Sequence, residues 1–274
     1  MSSAKKNNVE EHAGFQCARY LEDDILRLQA ILTKKTWVGF DFDDTLHEFR
    51  HSSGVATDRV LAEISKRHNI PMLALKEEYS MVLRTKTANA FCDGKTSFDY
   101  RRERFALVLT HFSLPQDDHS IRELLELYET NLMASLELKD GALDLLSLIK
   151  DMGKKIVVIT EGPQDAQERA ILGLGIDGFI DFLATTTHFR VAKTDGLFPR
   201  VLEHLCITAD DIAYIGDNEE RDMKPALAEG IFSIHLAEMK PVSFSNIPPK
   251  INTLRTLRYI LSKDSCPSLY VPSK

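Results

Sequence analysis

The sequence predicts an α/β fold: a parallel sheet covered by helices on both faces, with a second block of helices inserted after the first strand. Three observations carry this. After Asp140-Gly141, short apolar runs alternate with segments of helical periodicity, the pattern of parallel strands joined by crossover helices. Residues 49–135 carry helical periodicity and no buried strand, and such a stretch is too long for a loop inside a compact domain. Acidic and hydroxyl residues stand directly after the apolar runs, where ligands of parallel sheets gather.

Taken in order, residues 1–17 are polar and read as a disordered N-terminus. Ala18 to Leu32 places Leu21, Ile25, Leu28, Ile31 and Leu32 at helical spacing and leads into the first strand, Trp37–Phe40. The inserted block reads as helices over Asp58–His68, Leu75–Leu83, Phe98–Phe112 and Ile121–Ala134. Thr96 with Asp99 and Ser120 with Glu123 supply start signals for the last two. A helix at Ala142–Met152 stops at Gly153, and Lys155–Thr160 reads as a fully buried strand. A helix near Asp165–Leu172, a strand around Phe179–Ala184 and a helix over Phe198–Leu205 follow. Strands at Ile212–Ile215 and Ile231–His235 flank a helix around Met223–Glu229, and Leu254, Leu257, Ile260 and Leu261 mark a last short helix. The expected organisation is a core of 18–48 and 136–250, a helical block of 49–135, and a C-terminal helix and tail of 251–274.

Composition bounds the partners. A chain of 274 residues can bury a large core, and 43% hydrophobic with 27% charged residues is ordinary for a globular protein. A net charge of −7 supplies no broad basic face, which argues against a nucleic-acid polymer or an acidic membrane as partner but leaves room for a small anion in a local pocket. Cys17, Cys92, Cys206 and Cys266 have neither pairing nor metal-ligand spacing and read as reduced thiols. No signal or bilayer-spanning run is visible, so a cytoplasmic protein is the expectation, as a monomer or homodimer.

Asp41, Asp43 and Asp44 put three carboxylates in four residues against an apolar strand. Like charges that close repel unless a cation or a proton is shared. The simplest reason for the cluster is a hard divalent ion held through oxygen ligands, with one carboxylate free to attack a bound group. The bland alternative is an acidic surface turn. Asp41, Thr160 and Asp217 each fall at or just after the end of a strand, so a parallel sheet would converge all three on one crevice. Four pieces then stand in chain order: Asp41-x-Asp43, Thr160-Glu161-Gly162, Lys193 on a loop before a helix, and Gly216-Asp217-Asn218-Glu219-Glu220-Arg221-Asp222.

In order, spacing and strand context, these motifs closely resemble those of the haloacid dehalogenase superfamily, over about Trp37 to Ala237. The helical insert resembles that superfamily's type-1 cap, as in its phosphoglycolate-phosphatase and nucleotidase-like members. The resemblance implies a Rossmann-like core, a helical cap, and Mg²⁺-dependent phosphoryl transfer through an aspartyl-phosphate. It assigns Asp41 as nucleophile and Asp43 as the acid for the leaving oxygen and then the base for water. Thr160 donates its hydroxyl to the phosphoryl group and Lys193 neutralises the anion pair. Phe42, Thr160, Glu161, Gly162 and Lys193 form the substrate-binding set. Asp41, the backbone carbonyl of Asp43 and Asp217 are the implied metal ligands, with Asp222 supporting Lys193 or a metal-bound water. Phosphoryl transfer needs these parts: an in-line nucleophile, a leaving-group acid and positive charge around the equatorial oxygens.

Asp43 separates the branches. Relatives that cleave carbon–halogen bonds lack this second aspartate and transport-ATPase relatives carry Thr there, so its presence implies a phosphatase or phosphomutase; a phosphatase acting on a small phosphorylated metabolite is the expectation. A phosphomutase, or a non-catalytic binding protein on the same fold, are the alternatives. Two departures are visible: Glu161 where Asn is frequent and Thr194 where Pro is frequent. Glu161 would add negative charge beside a phosphate, so its side chain is expected to turn away. Asp44 reads as a capping acid, and His47 and His51 as incidental to this chemistry. The cationic stretch Gly94–Phe105 reads either as part of the specificity surface or as a solvated helix face with Phe98, Phe105 and Leu109 packed inward.

Overall fold

The computed structural model describes residues 22–86 and 91–262. The N-terminal segment, Cys17, the 263–274 tail and Cys266 lie outside them. Residues 22–34 form helix α1, followed by strand β1 (Trp37–Phe40). Four helices come next: α2 (Phe49–His68), α3 (Met72–Lys86), α4 (Ser97–His111) and α5 (Asp118–Ala134). Then α6 (Ala142–Asp151), β2 (Lys155–Thr160), α7 (Gln164–Gly173), β3 (Phe182–Thr185), α8 (Thr186–Phe189) and α9 (Leu197–Leu205) follow. The chain continues through β4 (Ile212–Gly216), α10 (Lys224–Ala228), β5 (Phe232–Leu236), β6 (Lys250–Ile251) and α11 (Leu254–Ser262).

The six strands form one parallel sheet in the order β3-β2-β1-β4-β5-β6. Both faces are covered, which is why the strands read as continuous apolar runs. Successive residues of a strand face opposite ways. Ile156 and Val158 of β2, with Ala213 and Ile215 of β4, join a cluster containing Leu28 of α1, Leu145 of α6, Ile171 of α7 and Leu257 of α11. Val157, Ile159, Ile212 and Tyr214 join Leu197, Phe198 and Val201 on the opposite face. Helix α11 thus packs on the sheet as part of the core.

Helices α2–α5 build a third apolar cluster of their own around Val60, Leu61, Leu75, Phe105 and Tyr128. Two chain segments join this block to the sheet, and they pair with one another: Glu48 N–H donates to Glu137 O at 2.9 Å and Lys139 N–H to Leu46 O at 2.9 Å. Helix α4 starts as its sequence signal says, with a reciprocal Thr96–Asp99 capping box. Helix α5 does not. Asp117 is its N-cap and accepts the Ser120 N–H at 2.9 Å, so the helix begins three residues before the expected start. Helix α2 also begins earlier, because Asp44 Oδ1 accepts the N–H of Arg50 in its first turn. Strand β6 and helix α8 have too few residues to leave a periodic signal. Among the described residues no helix is long and apolar enough to cross a membrane, and Cys206 is an exposed thiol.

Candidate active site

β1 lies between β2 and β4, where the strand order changes direction, and the crevice at the carboxyl ends of these strands is the expected ligand position. Asp41 extends the β1–β4 ladder by one bond, its N–H donating to Ile215 O at 2.8 Å, and this pins the residue at the crevice floor. Thr160 ends β2, and Asp217 follows β4. A cavity of about 370 Å³ opens above them between the sheet and the α2–α5 block, and Asp41, Asp43, Thr160, Lys193, Asp217 and Asp222 all reach its wall.

Lys193 stands in a short turn before α9 and is 2% exposed. Its Nζ donates to Asp41 Oδ1 at 2.6 Å, to Asp222 Oδ1 at 2.5 Å and to Tyr214 OH at 3.0 Å, so all three ammonium protons are used. Burial works against its charge, but Asp222 and Asp41 outweigh burial and hold its pKa above the ordinary lysine value. Asp222 reaches this point because residues Glu219–Met223 form one wide helical turn that folds back under β4. Asn218 starts the turn by accepting the Glu220 and Arg221 N–H groups, and its own N–H donates to Asp222 Oδ2 at 3.0 Å. Gly216 is required here: a Cβ on it would lie 2.6 Å from Asp222 Cγ.

One oxygen each from Asp41, Asp217 and Asp222 lies within 4.8 Å of the others. Burial pushes Asp41 well above the ordinary carboxylate range; Lys193 pulls it back, and Asp222 and Asp43 push it up again. Burial and then the Asp222 charge raise Asp217 in the same way, with Arg50 opposing. Three hard oxygen donors with excess negative charge fit a Mg²⁺-type cation. Asp43 is outside this side-chain group. Its carboxylate faces His47 and Gln167 instead, so any metal contact from Asp43 would have to come through its backbone carbonyl.

Thr160 is fully buried and its Oγ1 has no hydrogen-bond partner among the described residues. A buried hydroxyl without a partner calls for an explanation, and Thr160 lines the same cavity as Lys193. The turn after it is held in place by Thr186 Oγ1, which accepts the Gly162 N–H at 3.2 Å. Glu161 lines the cavity, but both its oxygens are engaged: Oε1 accepts the Lys193 backbone N–H and Oε2 meets Arg221 Nη1, each at 3.3 Å. Phe42 is fully buried in the sheet cluster and is not among the cavity-lining residues, so its side chain offers nothing to a ligand there. Thr194 is exposed, its hydroxyl bonded to Asp195.

On the other wall, Arg101 pairs with Glu129 and lies over the Tyr128 ring, while Arg104 lines the cavity with its Nε buried and unpartnered among the described residues. Arg102 points outward to Asp118. The Gly94–Phe105 stretch is therefore divided between the two expected roles. Phe98 does not pack inward: it is 38% exposed, with the guanidinium groups of Arg169 and Arg101 at 4.9 and 5.8 Å from its ring centre.

Sequence reasoning passed over three residues at this site and set a fourth, His47, aside as incidental. Tyr214, a polar handle inside an otherwise apolar strand, bonds Lys193 and Asp222. His235 of β5 bonds the Asp217 carbonyl through Nε2 at 2.9 Å and steadies that loop. Gln167 of α7 reaches Asp43 Oδ2 at 3.4 Å. His47 reaches Asp43 Oδ1 at 2.9 Å. Only Tyr214 carried a visible signal.

A doubly covered parallel sheet thus carries a carboxylate–lysine–threonine group at the carboxyl ends of its strands, the layout of a hydrolase site. The chain belongs to the haloacid dehalogenase-like hydrolase family, which it matches over residues 36–230. It is 27% identical over 203 residues to a glyceraldehyde 3-phosphate phosphatase of Methanocaldococcus jannaschii, covering 73% of this chain and 84% of that protein. Among solved structures it superposes on the HAD-hydrolase YfnB of Bacillus subtilis, described as bound to magnesium, with TM-score 0.63 and 21% identity over 83% of this chain and 99% of that one. The HAD phosphatase of Thermococcus onnurineus gives 0.61 and 21%, over 83% and 98%. An L-2-haloacid dehalogenase of Xanthobacter autotrophicus gives 0.60 and 15%, over 84% and 100%. At these identities the structural matches speak for the fold.

Proposed function

We propose that this protein is a Mg²⁺-dependent phosphatase that hydrolyses a small phosphomonoester through an aspartyl-phosphate on Asp41, with α2–α5 as its cap. The observation that carries the reading is the buried Thr160 hydroxyl, unpartnered among the described residues, on the same cavity as the Lys193 ammonium that holds Asp41. Together they offer a neutral donor and a positive charge to one anion at the tip of the nucleophile. The phosphatase relative supports the same reading.

Asp41 attacks phosphorus in line while the bond to the leaving oxygen breaks, and the proton on Asp43 passes to that oxygen. Asp43, now a carboxylate, takes a proton from water as the water oxygen attacks the phosphoryl group, and Asp41 departs as carboxylate. Lys193 and Thr160 offset charge on the equatorial oxygens throughout. Asp41 and Asp217, with Asp222 behind them, would hold the Mg²⁺, which supplies further charge neutralisation between Asp41 and the phosphate dianion. The cap wall, with Tyr79, Tyr100, Tyr128 and Arg104, surrounds the leaving group and sets which ester enters.

The test is release of phosphate from p-nitrophenyl phosphate with Mg²⁺ and with EDTA, followed by a panel of nucleotides, sugar phosphates and glyceraldehyde 3-phosphate. Metal-dependent release that disappears in Asp41→Asn is the expected result. Undiminished turnover by Asp41→Asn, or none by folded wild-type protein on any ester, would remove the proposal.

A further inference from the structure

His47 has no part in the chemistry above, yet it is 1% exposed and lies against the residue that moves the proton. The chain turns tightly after Asp43: Asp44 N–H donates to His47 O at 2.8 Å and His47 N–H to Phe42 O at 3.3 Å. This turn carries the imidazole back over Asp43, four residues earlier. The ring is packed against Phe42 at 4.2 Å and edge-on to Phe49 at 5.9 Å, and its hydrogen bond to Asp43 sets its orientation. Its Nδ1 has no partner among the described residues, and the geometry fits the tautomer with a proton on Nε2. A phenylalanine would fill this pocket without burying an unpartnered nitrogen. What histidine adds is an N–H donor aimed at Asp43.

Gln167 Nε2 approaches the other oxygen of the same carboxylate, Oδ2, at 3.4 Å. It comes close because residue 162 is glycine: a Cβ there would lie 2.4 Å from Gln167 Nε2. Asp43 is therefore gripped from two sides, by the turn after β1 and by α7.

We propose that His47 is a positioning residue for Asp43. Its Nε2–H donates to Oδ1 and fixes the plane of the carboxyl group, and with it the direction in which Asp43 hands a proton to the leaving oxygen, with Gln167 holding the Oδ2 side. This rests on the phosphatase reading and adds a residue that the reaction itself does not call for. Without the donor, the carboxyl group can rotate, and proton delivery suffers most where the leaving oxygen needs it most.

The experiment compares kcat/KM of the full-length protein for phenyl phosphate and p-nitrophenyl phosphate with Mg²⁺. These esters have similar shapes, but the phenolate leaving group depends far more on protonation. His47→Phe is expected to lower kcat/KM for phenyl phosphate by about 10–100-fold and for p-nitrophenyl phosphate by no more than about 3-fold. His47→Gln, which restores a side-chain N–H, is expected to recover most of the loss. Gln167→Met, which removes the second donor without touching the ring, makes the same comparison even if His47→Phe fails to fold. An equal loss on both esters, or no loss, overturns the positioning role and leaves His47 as packing. Failure of the wild type on both esters and on every ester of the panel above would instead overturn the phosphatase reading, and the role of His47 with it.

Discussion

Lys193 Nζ and Asp41 Oδ1 are 2.6 Å apart, although the two residues are separated by 152 positions in the chain. The pair is buried, and Asp222 shares the same ammonium. Two carboxylates and one lysine leave the floor of the crevice one negative charge in excess, while Asp217 beside it is met by Arg50 Nη2 at 3.3 Å. That excess fits the cation proposed for this site.

Replacing Lys193 with methionine should therefore leave two buried carboxylates with no counter-charge. In EDTA the variant is expected to lose about 3–5 kcal/mol of stability. Saturating Mg²⁺ is expected to restore more stability to the variant than to the wild type, because the ion then carries the neutralisation alone. Thermal unfolding of both proteins with and without Mg²⁺ measures this, and an equal Mg²⁺ effect on the two would contradict it.

Gly162→Ala should spare the fold and impair the reaction. Its Cβ would collide with the far end of Gln167, which can swing away at little cost, but Asp43 would lose its Oδ2 contact. The expected signature is non-additivity: the double variant Gly162→Ala, Gln167→Met should be no slower than either single one, because all act on one contact.

Arg104→Gln should raise KM for the preferred ester by about 10-fold with little change in kcat, the mark of lost binding that is equal in ground and transition states. The basis is the unpartnered Arg104 Nε on the cavity wall. An unchanged KM would assign Arg104 to packing on the Phe91 ring, 6.0 Å away.

Asp165 links the sheet layer to the helical block. It accepts the Ser97 N–H at 2.9 Å and its hydroxyl at 2.7 Å, while Arg169 meets Asp165 and Glu129. Burial alone would raise the Asp165 carboxyl, but the Ser97 hydrogen bonds and Arg169 pull it below its ordinary value of 3.8. A carboxyl depressed in the folded state stabilises above its unfolded pKa, and that contribution fades as pH falls through the lower folded value. Wild type should accordingly exceed Asp165→Asn by about 1 kcal/mol at neutral pH, with the gap closing only below about pH 4. Urea unfolding across pH 2.5–7 measures the gap; one that does not change over this range would show that the Asp165 charge is not what holds the contact.

The sequence by itself determined the layered fold and the floor of the site. Apolar runs such as Lys155–Thr160 and Ile212–Ile215 announce strands buried on both faces, and residues at their ends must share one edge of a parallel sheet. Asp41, Thr160 and Asp217 were legible for that reason. Helix ends were less so, since Ser120 and Asp117 offer competing caps and only packing chooses between them. What the tertiary structure alone decided is which side chains meet. The roles of His47, Gln167 and His235 depend on rotamers, on a glycine that makes room, and on turns that bring residues together. A histidine four positions after an aspartate carries no sign of facing it, because spacing along a chain sets the direction of a side chain only inside regular structure, and residues 41–48 are a turn.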